Sequence, residues 1–126
     1  MVKVTADPIN PSDAYELIGK GRSGSVVFHY AVVKENGGGD TPTSCIDYRA
    51  EGDTAAELES ISTELRTTWN LEDILLVRRT GCLTVGDIIS LVAASSPNST
   101  DAFEACRHGI SRLKKMATIK KREMFK

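Results

Sequence analysis

The sequence predicts an α+β domain with a mixed, mainly antiparallel sheet and two main helices. Two segments carry apolar residues at helical steps of three and four, and five shorter segments are rich in Val, Ile or aromatic residues. Along the chain these segments follow in the order β-β-α-β-β-α-β, which favours the α+β class. A chain of 126 residues has the length of one domain, so we expect a single domain over residues 1–126.

The composition is that of a folded chain without membrane segments. Hydrophobic residues make up 40% of the chain and charged residues 26%, as in ordinary globular domains. No apolar run approaches the ~18 residues of a membrane-spanning helix. The N-terminus carries acids where a signal peptide needs a cationic start. We therefore expect a soluble, cytoplasmic protein that does not bind membranes.

The first part of the chain predicts a short helix and two strands. The helix covers 13–20 and ends near the glycines at 19–21. A strand over 24–34 follows, because this stretch is rich in Val and aromatic residues. The segment 35–43 contains three consecutive glycines and a proline, which predicts a mobile loop. A returning strand follows over 44–51.

A change of period after Gly52 predicts the first main helix, over residues 54–69. Its apolar residues recur at steps of three, four and four, at Leu58, Ile61, Leu65 and Trp69. Thr54 and Glu57 have the spacing of a capping box at the start of this helix.

The rest of the chain predicts two further strands, the second main helix and a last strand. The two strands cover 73–79 and 88–95, and the latter is apolar enough to be buried on both faces. A hairpin-like link joins them. The helix that follows has a predicted core stripe of Phe103, Cys106, Ile110, Leu113 and Ala117. Residues 118–125 form a weaker strand candidate.

The cysteines and histidines form neither a metal pattern nor a disulfide framework. Cys45, Cys82 and Cys106 are odd in number and lack C-x-x-C spacing, so we expect reduced cysteines and no metal site. Cys106 lies on the apolar stripe of a predicted helix, which indicates a small buried residue more than a nucleophile. His29 and His108 stand alone and are interpreted as packed or surface histidines.

Charge is distributed unevenly along the chain. Residues 107–126 carry eight Lys or Arg and one Glu, whereas the first 106 residues carry an excess of eight acids. Such a basic segment attracts an anion, which includes phosphorylated metabolites, acidic protein segments and nucleic acid. If the chain reverses after the second main helix, Lys114 and Lys121 reach one pocket. Crowded cations favour a neutral amine that acts as a nucleophile or proton carrier, and the alternative is an ordinary solvated surface.

Three segments resemble one enzyme family. The stretches GSVVFHYAVVK, GCLTVGD and SSPNSTDAFEACRHGISRLKKMATIKKRE are similar to the large, catalytic subunit of molybdopterin synthase. The resemblance covers about Gly24 to Glu123 and implies an α/β-hammerhead type of α+β fold. It also implies molybdenum cofactor biosynthesis, in which sulfur passes from a thiocarboxylated ubiquitin-like carrier to cyclic pyranopterin monophosphate and gives the molybdopterin dithiolene.

The resemblance also implies the site residues. The family's two active-site lysines correspond to Lys114 and Lys121, and no cofactor is implied. The implied substrate-binding positions are Val32, Val33, Lys34, Asn98, Ser99, Ile110, Arg122 and Glu123. The family usually has arginine at the position of Lys34 and His-Arg at the positions of Asn98 and Ser99. Both implied substrates are anions, which agrees with the basic C-terminal segment.

The implied partners are a small sulfur-carrier subunit with a C-terminal Gly-Gly thiocarboxylate, a phosphorylated pterin substrate and a second copy of the chain. A homodimer with a carrier at each end is a heterotetramer. One alternative is a non-catalytic paralogue that binds the sulfur carrier or scaffolds a dimer, suggested by the changed residues. A further alternative is a nucleic-acid surface over 120–125. It is disfavoured because one aromatic residue, Phe125, accompanies the charges.

Overall fold

The computed structural model describes residues 1–35 and 42–125. In this part of the chain it contains seven strands and three helices. In chain order they are β1 (Val2–Thr5), α1 (Pro11–Leu17), β2 (Ser25–Val32), β3 (Thr43–Ala50), α2 (Thr54–Thr68), β4 (Asp73–Arg79), β5 (Gly81–Leu83), β6 (Ile88–Ser96), α3 (Ser99–Lys114) and β7 (Ile119–Phe125).

The strands of the described residues form two sheets. The four-stranded sheet has the order β1-β4-β6-β2, in which β1 and β4 are parallel and the other pairs are antiparallel. The three-stranded sheet has the order β5-β3-β7 and is antiparallel throughout. The predicted α+β class and the mainly antiparallel pairing are confirmed. The predicted single sheet is divided in two, because β3 pairs with β5 and β7 and not with β2.

The main core lies between α2, α3 and one face of the four-stranded sheet. Apolar side chains of α2 meet β4 and β6 there, while α3 contributes small residues that bring its backbone close to the sheet. At Gly109 of α3, an added Cβ would lie 2.9 Å from a methyl carbon of Val92, so only glycine permits this approach. The short α1 covers part of the opposite face of the sheet through Ala14 and Ile18.

The structure departs from the predicted elements at three points. The strand β1 was not predicted, since four residues carry too little pattern to be recognised. Phe103 is 61% exposed, so its place in the α3 core stripe is wrong, and Ala117 is exposed beyond the helix end. The buried stripe consists of Ala102, Ala105, Cys106, Gly109 and Leu113. Ala and Gly add little to a hydrophobic pattern, although a helix packed closely on a sheet selects them.

The predicted capping box of α2 is also wrong. The N-cap is Asp53, whose side chain accepts a hydrogen bond from the Ala56 amide at 2.9 Å. Glu57 therefore takes no part in capping α2. Its carboxylate accepts hydrogen bonds from the turn between α3 and β7.

Cys45 and Cys82 form a disulfide between β3 and β5, so the prediction of reduced cysteines is wrong for this pair. The pairing depends on strand register, which sequence spacing does not reveal. Cys82 lies opposite Asp47, two residues from Cys45 on the same face of β3, and the Cα atoms of the two cysteines are 5.7 Å apart. Cys106 is free and buried as predicted, and burial raises the pKa of its thiol to about 11.

Two other expectations concern the loop and the membrane. Most of the predicted glycine loop, residues 36–41, lies outside the described residues. Of the helices that the structure describes, none has the length and apolar character needed to span a bilayer.

Candidate functional site

A cavity of about 650 Å³ lies between the two sheets and the C-terminal end of α3. Strands β2, β4 and β6 line it on one side, β3 and β7 on the other, and the last turn of α3 completes the wall. Its volume is in the range of small-molecule binding sites.

Lys114 and Lys121 both line this cavity. Lys114 is the last residue of α3 and Lys121 is the third residue of β7, so only the turn 115–118 and the first part of β7 separate them. Both residues are exposed, with their side chains at the open part of the cavity. The predicted convergence of the two lysines is therefore present in the structure.

Glu57 of α2 holds the turn that lies between the two lysines. Its carboxylate accepts hydrogen bonds from the backbone amides of Ala117 and Thr118 at 2.8 and 2.9 Å. The Thr118 hydroxyl donates a third bond to it at 2.6 Å. The Thr118 carbonyl in turn accepts a bond from the Glu51 amide at 2.7 Å. The turn is thus held from α2 and from the end of β3.

The register of β7 on β3 decides which basic residues face the cavity. Lys121 lies opposite Tyr48 and Glu123 opposite Ile46, and all four line the cavity. Neighbouring residues of a strand point to opposite sides of a sheet, so Arg122 faces the other way. Arg122 lines a shallow groove of about 160 Å³ together with Asp47, Arg49, Glu51, Lys120 and Lys121.

The other predicted substrate-binding residues fall into two groups. Val32, Val33, Lys34, Ile110 and Glu123 line the cavity with the two lysines. Asn98 and Ser99 do not, because they lie at the opposite end of α3, a 16-residue helix about 24 Å long at 1.5 Å per residue.

The first turn of α3 already uses the side chain of Asn98. This residue is the N-cap, and its side-chain oxygen accepts a bond from the Asp101 amide at 2.9 Å. The carboxylate of Asp101 in turn accepts a bond from the Asn70 amide at 3.0 Å. Within one copy of the chain, Asn98 therefore has a structural role far from the two lysines.

Five polar residues of the cavity were not predicted as site residues: His29, Tyr30, Tyr48, Arg78 and Ser90. His29 was interpreted as packed or surface, and no site residue was predicted in the strand 73–79 that contains Arg78. Nothing in the sequence shows that β3 packs across from β4 and β6. The sequence offers one signal for His29. Side chains alternate between the two faces of a strand, so His29 and Ala31 share one face of β2, and the predicted site residue Lys34 follows shortly after this strand.

The charges that line the cavity are mostly positive. Among the described residues that line it, Lys34, Arg78, Lys114 and Lys121 are cationic and Glu123 supplies one carboxylate. Burial, together with the nearby Lys114 ammonium, lowers the pKa of His29, which favours its neutral imidazole. Burial raises the pKa of Tyr48, so this phenol remains protonated. The cavity therefore presents cations and neutral hydrogen-bonding groups, which suit an anionic ligand.

His108 lies outside this cavity, in a structural network. Its Nε2 atom is 2.8 Å from the Glu64 carboxylate, which also binds Arg112, and its ring lies beside Trp69. His108 is partly exposed, which agrees with its interpretation as a packed or surface histidine. Across residues 1–35 and 42–125, no three His, Cys, Asp or Glu side chains form a group that could hold a metal ion.

Fold and site together define an α+β domain with a basic cavity that is lined by two lysines, one on each side of an anchored turn. Comparison with known proteins gives the family. The model of the family described as "MoaE protein" matches residues 4–116. The chain belongs to this family.

Individual relatives agree with the family match. A protein of Nostoc named molybdopterin synthase catalytic subunit is 30% identical over 95% of this chain and 73% of its own length. The crystal structure of molybdopterin synthase from Staphylococcus aureus matches with a TM-score of 0.90 and 29% identity, over 98% of this chain and 90% of that one.

A more distant structure shares the fold. It is a complex of subunits 1 and 2 of the molybdopterin-converting factor from Helicobacter pylori, with a TM-score of 0.74 and 14% identity, over 98% of this chain and 84% of that one. At this identity the likeness concerns the fold alone.

Proposed function

We propose that this chain is the catalytic subunit of a molybdopterin synthase and acts in molybdenum cofactor biosynthesis. In this reaction a small ubiquitin-like carrier with a C-terminal thiocarboxylate supplies sulfur to cyclic pyranopterin monophosphate. In each transfer the thiocarboxylate sulfur forms a bond to a precursor carbon as a C–O bond of that carbon breaks. Water then cleaves the resulting thioester, so that the sulfur stays on the precursor and the carrier is left with a carboxylate. Two such transfers give the dithiolene. The relatives in the same family carry the corresponding name.

The observation that carries this proposal is the pair of lysines in one basic cavity. Lys114 and Lys121 line a space large enough for a small ligand, and further cations surround them. The precursor is a phosphate ester and the carrier ends in a thiocarboxylate, so both substrates are anions that these cations attract. Binding them side by side turns a reaction between two molecules into one within a single complex.

Each lysine has a proposed task in the transfer. Lys114, at the end of α3, lies nearest the carrier terminus and the reacting carbon. Lys121, across the turn, assists proton transfer or stabilises the charge that develops on the substrate. Val32, Val33, Lys34, Ile110 and Glu123 form the surrounding wall of the substrate site.

The other predicted site residues have their proposed roles outside this wall. Arg122 lies on the outer face of β7, where it is available to a docked partner and not to a ligand inside the cavity. Asn98 and Ser99 are too far along α3 to reach the lysines of their own chain. Any contact they make with substrate would have to be with the cavity of a second copy in the homodimer.

A reconstituted reaction tests the proposal. The chain is mixed with the thiocarboxylated carrier and cyclic pyranopterin monophosphate, and dithiolene product is measured. We expect product with the natural chain and none with Lys114→Ala. No product from the natural chain, with a carrier that is active in a reference synthase, would contradict the enzyme assignment.

The same experiment distinguishes an active synthase from the non-catalytic alternative, which the changed residues at 98 and 99 suggest. A paralogue that only binds the carrier would co-elute with it from a size-exclusion column and yield no product. The double variant Asn98→His with Ser99→Arg would then restore precursor binding without changing carrier binding.

For the active chain we also propose one domain over residues 1–126, a homodimer with a carrier at each end, and a cytoplasmic location.

A further inference from the structure

Arg78 is a buried cation without a partner anion in the described residues. It is 7% exposed, and its Nε atom is fully buried with no hydrogen-bond partner. None of the ion pairs that the described residues form includes Arg78. A buried charge without a counter-ion destabilises a fold, so a ligand anion that pairs with Arg78 would relieve this cost.

The surroundings of Arg78 hold its guanidinium in place without neutralising it. The guanidinium carbon lies 5.0 Å from the centre of the Tyr48 ring, which is a cation–π contact across the gap between the two sheets. Ser90 is the cross-strand partner of Arg78 on β6, is 4% exposed and lines the same cavity. The Tyr48 ring and the Ser90 hydroxyl therefore flank the guanidinium of Arg78 but supply no anion. Its N–H groups are available to a ligand.

The depth of Arg78 indicates which anion it would bind. Lys114 and Lys121 are exposed at the open part of the cavity, whereas Arg78 is almost completely buried. In the proposed reaction the carbon that receives sulfur lies near the lysines, and the carrier must approach from the open side. The phosphate group of the small substrate is the anion that can occupy the deep end, away from the reacting carbon.

We propose that Arg78 is the phosphate-binding residue of this cavity, with the Ser90 hydroxyl as a second donor. The planar guanidinium matches two phosphate oxygens at once, which an ammonium group cannot do. The identification of the ligand as a pterin phosphate rests on the proposed function. The assignment of a deep phosphate position rests on burial, the missing counter-ion and the lining of the cavity.

The neighbouring Arg79 provides a matched control. It follows Arg78 on β4 and therefore faces the other side of the sheet, and it does not line the cavity. Its Nε atom is also buried without a partner, but its terminal nitrogen lies 3.9 Å from the Asp87 carboxylate. Arg79 thus has the counter-ion that Arg78 lacks.

Binding measurements with three variants test the proposal. Arg78→Met removes the charge at similar volume, Arg78→Lys keeps the charge and loses the fork, and Arg79→Lys is the control. We expect the dissociation constant for cyclic pyranopterin monophosphate to rise about 10- to 100-fold in Arg78→Met and about tenfold in Arg78→Lys. The Arg79→Lys constant should stay within about twofold of the natural value, and carrier affinity should be unchanged in all three variants.

Two results would overturn the proposal while leaving the proposed function intact. One is unchanged precursor affinity in both Arg78 variants. The other is weaker carrier binding with unchanged precursor binding, because Arg78 would then hold the carrier terminus. Arg78→Met should melt no lower than the natural chain in phosphate-free buffer, since it removes an unpaired buried charge. If it nevertheless fails to fold, Arg78→Lys decides the question.

A second probe separates this inference from the proposed function. If the natural chain binds no pterin phosphate, the proposed function fails, and inorganic phosphate then tests Arg78 directly. Phosphate should raise the melting temperature of the natural chain relative to chloride at equal ionic strength, and this shift should be lost in Arg78→Lys. An equal shift in both proteins, or no shift in the natural chain, would overturn the phosphate assignment.

Discussion

The two faces of the three-stranded sheet contain similar charged residues in very different surroundings. On the inner face, Lys121 and Glu123 of β7 line the cavity with Tyr48. On the outer face, Lys120 and Arg122 lie along a shallow groove. These four residues follow one another in the sequence as a single charged run. The pleat of one strand therefore divides this run into a candidate site and an ordinary surface.

The comparison also concerns how firmly each face is held. The inner face continues into the turn after α3, whose backbone is bound by the Glu57 carboxylate. The outer face contains an isolated ion pair between Arg49 and Asp47, 3.7 Å apart, with the Arg49 side chain 70% exposed. Lysines that an anchored backbone holds beside a cavity can act on a ligand bound there, whereas exposed pairs of this kind add little to stability.

The largest expected effect is the loss of turnover when Lys121, the lysine on the inner face of β7, is replaced. Lys121→Ala should lower the rate of dithiolene formation about 10²- to 10⁴-fold, which is the usual contribution of a positioned proton-transfer group. Lys120→Ala changes the preceding residue on the outer face and should stay within about threefold of the natural rate. Equal losses in the two variants, measured with saturating carrier, would show that facing the cavity is irrelevant.

A smaller effect is expected when the support of the turn is weakened. Glu57→Gln removes a carboxylate that accepts three hydrogen bonds, so the free energy of unfolding in urea should fall by about 1–2 kcal/mol. Turnover should also fall, because Lys114 and Lys121 flank the turn. The matched control is Glu59→Gln, an exposed position on the same helix. Unchanged stability in Glu57→Gln would contradict the anchoring role.

The same variant carries a pH dependence. Burial raises the pKa of Glu57, but the hydrogen bonds from Thr118 and Ala117 outweigh it, so the pKa lies below its usual value. The stabilisation is therefore fully present above the unfolded-state pKa of about 4.3. It is lost as the pH falls through the lower folded-state pKa.

The measurement is urea unfolding at several pH values between neutral and acid. The difference in stability between the natural chain and Glu57→Gln should be constant near neutral pH and shrink below about pH 4. The corresponding difference for Glu59→Gln should stay close to zero. A difference for Glu57→Gln that grows towards acid pH would have the wrong sign for this account.

The smallest effect is expected on the outer face. Arg49→Ala breaks the exposed pair with Asp47 and should change the free energy of unfolding by less than about 0.5 kcal/mol. Turnover should stay close to the natural rate. Chemical denaturation checks the first expectation and the dithiolene assay the second. A large loss of stability would mean that the two faces are more alike than their exposure indicates.

Local patterns predicted most elements of this fold correctly. The steps Leu58, Ile61, Leu65 and Trp69 locate α2 to within one residue at its end, because one helix face must be apolar wherever it packs on a sheet. The four-residue strand β1 escaped notice because so short a segment carries hardly any periodicity. Phe103 has the spacing of a core residue but is exposed, because the close packing of α3 on the sheet favours Ala and Gly in the buried stripe.

The site could be predicted only in part. Lys114 and Lys121 lie within one continuous segment, so a helix end followed by a strand is enough to bring them together. Arg78, Tyr48 and His29 come from three separate strands, and nothing local relates them. The Cys45–Cys82 disulfide was missed for the same reason, since it depends on the register between β3 and β5.

The sequence by itself determined the types and order of the elements and the basic segment that carries the two lysines. Those properties follow from periodicity and composition, which depend only on residues that are close together in the sequence. Only the tertiary structure decided that the strands form two sheets, that Lys121 and not Lys120 faces the cavity, and that Arg78 is buried there without a counter-ion. These features depend on strand pairing between distant segments, and a shift of one residue in that pairing would reverse every side chain of β7.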